Sequence, residues 1–305
     1  MHHKPKPLLL VSWVVLLLSI ALPAAADRPG WNEPPKAPGY DRNGLLKINA
    51  GYFNMAAATG GDFYFWAPGE FAASAGLLNV PVASDPVALA YRSGDGDFAQ
   101  SLEIPVDAAL TRLSLFAGAQ RLDEVRLLRP DGRSVKANPA GVAVQVYKHM
   151  RIVTVEDPEP GPWRVEARGA GSYAIAARYL AERMKLAERG LEAIDLVGFT
   201  FVELGGRPGH EGFFPVDKPV RAGEEELLRV TLSGGVRDPS VEMVSVAGDL
   251  LGACRLDVSI GEVAADEFIG ACSIPEQPFR VRVRGRDGEG HLFQRISAAP
   301  ISPLL

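Results

Sequence analysis

Residues 142–179 read VAVQVYKHMRIVTVEDPEPGPWRVEARGAGSYAIAARY, and their rhythm decides the fold class. Val142, Val144 and Val146 alternate with small or polar residues; so do Trp163, Val165 and Ala167, and again Tyr173, Ile175, Ala177 and Tyr179. A period of two places each set on one face of a strand, because successive strand side chains point to opposite sides. The runs are separated by DPEPGP at 157–162 and GAGS at 169–172. Proline cannot donate to a central ladder and glycine accepts dihedrals other residues avoid, so both segments are predicted as turns. This stretch is antiparallel sheet with one buried face.

The same texture extends outward. Upstream and within this region, strands are predicted at 88–91, 101–106, 112–116, 124–128, 134–135, 142–147, 152–155, 163–167 and 173–179, with RPDGR at 129–133 as a tight hairpin. Downstream they are predicted at 197–203, 219–220, 227–232, 241–246, 256–260, 280–284 and 292–296, with a turn at 286–290. Short strands with a turn every ten residues or so imply sandwiches or barrels. The expected fold is mainly β: two tandem β-sandwich domains of the immunoglobulin or fibronectin kind, 87–182 and 194–301. A linker at 183–193 joins them, where the alternating charge of AERMKLAERG (181–190) suits one or two helical turns. Ahead lies a small α/β segment, 44–86, with an alanine-rich helix at 50–59 and a second at 70–78. Between them Phe63, Tyr64, Phe65 and Trp66 form an aromatic run, read as a core strand or as a binding surface.

The first 26 residues carry a basic start (Lys4, Lys6), an apolar run at 8–22 and a Pro-Ala-Ala-Ala site. They are predicted to be a signal peptide cut before Asp27, the alternative being an uncleaved anchor. Residues 27–43, rich in proline and glycine, are expected to be a tether. Loss of two lysines takes the 32 basic residues to 30 against 37 acidic ones, a net charge of −7. An acidic chain without a basic stripe is a poor partner for nucleic acid or anionic lipid. The product is expected to be secreted or periplasmic, with no stable membrane anchor. Its two cysteines, Cys254 and Cys272, are disulfide candidates in an oxidising compartment, with free thiols the alternative.

Four segments then point to a family. Residues 153–165, VTVEDPEPGPWRV, resemble the V-x-V-x-x-P-x-x-G-x-W-x-V stretch that follows the von Willebrand A domain of hemicentins and related extracellular proteins. LEIPVD at 102–107 is similar to the family's I-P-F/V-D opening, LLRPDG at 127–132 to its I/L-x-x-P-x-G hairpin, and FRVRVRGRDGEGHLFQRI at 279–296 to its closing hairpin. The four occur in the family's order, spanning about 88–301. Residues 50–66 are similar to the last helix and strand of a von Willebrand A domain, but most of that domain is missing. Its Asp-x-Ser-x-Ser metal motif is absent too, so no metal site is carried over. The resemblance implies an extracellular-matrix or cell-surface module binding a protein or glycan, with a separate von Willebrand A protein as one candidate partner.

No catalytic motif appears in the chain. His149, His210 and His291 each read as solvent-facing, and the two aspartates of SGDGD at 93–97 as an exposed turn instead of a calcium loop. Arg280, Arg282 and Arg284 read as a solvated sheet face. No catalytic, metal or cofactor site is expected. The alternative is a secreted hydrolase whose serine, histidine and aspartate converge only on folding.

Overall fold

The computed structural model describes residues 39–59, 63–67, 70, 88–136, 139–216, 218–256, 267–297 and 299–305. The expected signal peptide, most of the expected tether and residues 71–78 of the second expected helix lie outside the described residues. Pro38–Leu305 forms one compact unit, and it is mainly β. Helix α1 (Ala50–Thr59) precedes β1 (Ala88–Gly94), β2 (Phe98–Val106), β3 (Arg112–Leu128), β4 (Val142–Val146), β5 (Met150–Glu156) and β6 (Gly161–Leu180). After α2 (Arg183–Glu188) come β7 (Leu196–Arg207), β8 (His210–Pro215), β9 (Glu225–Leu232), β10 (Arg237–Ser245) and β11 (Leu250–Leu256). The last three are β12 (Glu267–Ser273), β13 (Phe279–Arg286) and β14 (Leu292–Ile296). The strands pair in the order β4-β5-β3-β6-β1-β14-β13-β10-β11-β12-β9-β7-β8, and among the described residues β2 pairs with β6 alone.

Two apolar clusters divide this sheet into lobes. The strands β1–β6 gather Ile104, Leu113, Leu115, Trp163, Val165 and Ile175. The strands β7–β14 gather Val230, Phe279, Val281, Val283 and Phe293. Val142 and Val144, on edge strand β4, pack against the first cluster, whereas Val146 is exposed.

The segment 169–172, expected to reverse the chain, bends it instead. Strands β3 and β6, each read as two short strands, are continuous over 17 and 20 residues. Their pairing shifts register between Ala119 and Arg121 and again between Leu122 and Glu124. A Cβ on Gly169 would lie 2.1 Å from the Arg121 carbonyl oxygen, and Gly171 holds φ at +78°. Only glycine meets both demands, close backbone approach and positive φ. The bend brings Trp163, Val165 and Ala167 round to the same core as Tyr173, Ile175 and Ala177. Strand β2 covers the first half of β6 and β1 the second.

The outer face of the bend is also covered. Leu46, Phe53 and Phe65 form a small buried cluster with Ala174, flanked by Phe116, and the Leu46 N–H donates to the Gln120 carbonyl at 3.0 Å. In the second lobe, HEGFFP at 210–215 is strand β8, paired with β7, where no strand was expected. Strand β12 was not foreseen, since EFIGACS has little alternation; it is held between β9 and β11. Cys254 and Cys272 are joined across β11 and β12, S–S 2.02 Å. Closing a loop of this length stabilises by about 3 kcal/mol in the chain-entropy account. Of the remaining expected strands, 134–135 reduces to one bridge, Leu128 to Ser134, 219–220 is not a strand but precedes a bridge from Arg221 to Leu304, and 257–260 lies outside the described residues.

Trp163 is fully buried, and its indole N–H donates to the Glu159 carbonyl at 2.8 Å. Trp163→Ala is expected to cost about 3–5 kcal/mol in denaturant unfolding. A near-neutral result would show that the ring does not hold the first core.

Candidate functional site: an arginine-lined cleft between the lobes

Strand β13 carries Arg280, Arg282 and Arg284 on one face, while Val281 and Val283 on the other are fully buried. The arginine face does not look into open water as expected. Arg280 is only 3% exposed, because the first lobe crosses this face and Tyr91 of β1 sets its ring 4.6 Å from the guanidinium. Burial pushes the Arg280 pKa down, with Tyr91 opposing and Arg178 reinforcing the effect. Arg282 is lowered by burial too, partly offset by Glu242, which it meets at 2.5 Å. The Arg284 Nε donates to Gln294 Oε1 at 2.6 Å; among the described residues Arg284 forms no ion pair.

These side chains line a cleft of about 290 Å³ together with Tyr91, Arg92, Gln100, Ser101, Leu102 and Glu103. Four arginines and one glutamate, Glu103, line it, in a chain whose net charge is negative; two of the four, Arg92 and Arg282, are paired with Asp249 and Glu242 behind the lining. The walls are fixed by bonds between lobes. The Ser93 N–H donates to the Ala247 carbonyl at 3.0 Å, Arg92 pairs with Asp249 at 2.5 Å, and the Gln294 amide donates to the Leu89 carbonyl. An arginine fork held this way suits a carboxylate or another planar oxyanion. Sequence reading missed the cleft because Tyr91 and Arg280 are almost two hundred positions apart.

The other expected sites disperse. Phe65 is fully buried and Phe63 stands edge-on to it at 5.2 Å. Tyr64 and Trp66 point the other way, against Phe116 at 5.3 Å and Tyr147 at 5.1 Å. Only half of the aromatic run is therefore presented outward. Asp95, in the 93–97 turn, accepts from the Ser172 hydroxyl at 3.2 Å. His210 is exposed on β8. His291 lies 3.3 Å from Asp287. His149 corrects the solvent-facing expectation: it is 3% exposed and bonds to the Tyr40 hydroxyl at 3.0 Å, because residues 39–48 fold back over β3. Among the described residues no serine bonds to any of the three histidines.

No family model matches this chain. Over 215 residues, 67% of its length, it is 24% identical to hemicentin-1 of Mus musculus; over 214 residues, 66%, it is 23% identical to hemicentin-1 of Homo sapiens. The matched region is 3% of either relative. The lipase BlEst2 of Bacillus licheniformis in its propeptide form aligns with a TM-score of 0.26 at 11% identity, over 73% of this chain and 48% of that one; so low a score bears on neither fold nor chemistry.

Burial, then Lys148, lowers the His149 pKa, against a smaller opposite pull from Glu70. The folded state therefore resists protonation that the unfolded chain accepts below an ordinary imidazole value of about 6.5. Stability from this group is complete above that pH and falls as pH drops through it. The melting temperature is expected to fall between neutral and mildly acidic pH, and less steeply in His149→Gln; equal slopes would show that the imidazole stays solvated.

Proposed function

We infer that the chain is an exported, non-catalytic interaction module of the extracellular-matrix or cell-surface type. The likeness to hemicentin-1 over two thirds of the chain carries this reading. Two further features support it. Cys254 and Cys272 are bonded, as suits an oxidising compartment. The cleft between the lobes presents fixed guanidinium groups, a chemistry suited to holding an anionic partner. A protein partner fits this reading, a separate von Willebrand A protein being one candidate.

Expression with the native leader, followed by fractionation and a hydrolase screen, tests the reading. The chain is expected in the exported fraction with Asp27 at its N-terminus, inert toward ester and peptide substrates. Retention in the cytoplasm, or hydrolysis abolished by His291→Ala, would overturn it.

A further inference from the structure

The two walls of the arginine cleft differ in kind. On β13 only alternate residues, Arg280, Arg282 and Arg284, line it, as a strand presenting its face must. On β2 four consecutive residues, Gln100, Ser101, Leu102 and Glu103, line it, as a strand presenting its edge does. Among the described residues that edge is open: β2 pairs only with β6, and its backbone makes no other hydrogen bond outside that ladder. An unpaired edge offers a row of N–H and C=O groups to an incoming strand. Here the row faces a bank of guanidinium groups.

We propose that the cleft receives an extended acidic peptide segment, which adds to the free edge of β2 through main-chain hydrogen bonds and turns a carboxylate toward Arg284. Three observations select this occupant. With Arg92 paired to Asp249 and Arg282 to Glu242, the four arginines of the cleft meet three carboxylates, Glu103 included, so the site keeps one excess positive charge within an acidic chain. Arg284 has a neutral partner, Gln294, which leaves the rest of its fork for an oxyanion. The strand edge supplies donors and acceptors at a peptide's own repeat, which a glycan cannot match along its length. The proposal names the partner chemistry of the interaction module inferred above and rests on that reading.

The test uses the mature full chain and a short end-capped, fluorescent peptide in which glutamate alternates with valine, read by anisotropy. Binding is expected, with loss of about tenfold or more in affinity in Arg284→Gln. No change is expected in Arg286→Gln, whose side chain is exposed and bonded to the Gly290 carbonyl. Glu103→Gln, at an exposed position, should tighten binding by removing the cleft's own carboxylate, and so reports independently of whether the Arg284 variant folds. A peptide N-methylated at alternate positions should fail to bind. Failure of the parent peptide to bind, or equal affinity in Arg284→Gln and Glu103→Gln, would overturn the proposal. So would undiminished binding of the N-methylated peptide, or tighter binding of a sulfated oligosaccharide. None of these results touches export or the lack of hydrolysis, so the broader reading stands or falls separately.

Discussion

A guanidinium sealed between two β-lobes is the constraint on which this structure depends. Arg295 of β14 and Asp107, at the end of β2, meet at 2.9 Å with both side chains wholly inaccessible to solvent. The Arg295 Nε donates to the Ile194 carbonyl at 2.8 Å, and its Nη1 also reaches the Gln294 carbonyl at 2.9 Å. The Tyr179 ring lies 4.2 Å from its centre. Burial alone would lower the Arg295 pKa, but Asp107 and Tyr179 outweigh it and hold the pKa above the ordinary value. Neither charge can be left alone in such a place, since an unpaired buried ion costs several kcal/mol. The first lobe supplies Asp107 and Tyr179 and the second supplies Arg295, so the buried pair exists only in the docked arrangement.

Docking sets the rest. With the pair formed, β1 lies beside β14, where Ala88 opposes Ile296, and the Ala108 N–H reaches Asp287 at 3.0 Å. Tyr91 is brought over Arg280, and the open edge of β2 is brought opposite the β13 face. The cleft is thus a consequence of lobe orientation, not a feature of either lobe. Its like-charged wall is tolerable because Glu242 and Asp249 each neutralise one arginine.

Much of the sheet was legible. The alternation of Trp163, Val165 and Ala167, or of Val281 and Val283, reports directly which side chains are buried, because strand geometry is local. The helix at 50–59 was readable from its alanines. What could not be read depends on distant pairing. Gly169 and Gly171 signal a change of direction, but only the opposing Arg121 carbonyl shows that the chain bends and continues. Arg280 and His149 looked solvent-facing because the groups that cover them, Tyr91 and Tyr40, belong to distant segments. Asp107 and Arg295 both fall within the hemicentin-like segments, yet nothing in either segment announces that they meet.

The most direct test of this account is a double-mutant cycle on the buried pair, followed by denaturant unfolding. Asp107→Ala is expected to cost about 3–5 kcal/mol by stranding Arg295, and Arg295→Met in that background to restore a substantial part of the loss. Unchanged stability in Asp107→Ala, or losses that simply add, would mean that the lobes are held together by something other than this ion pair.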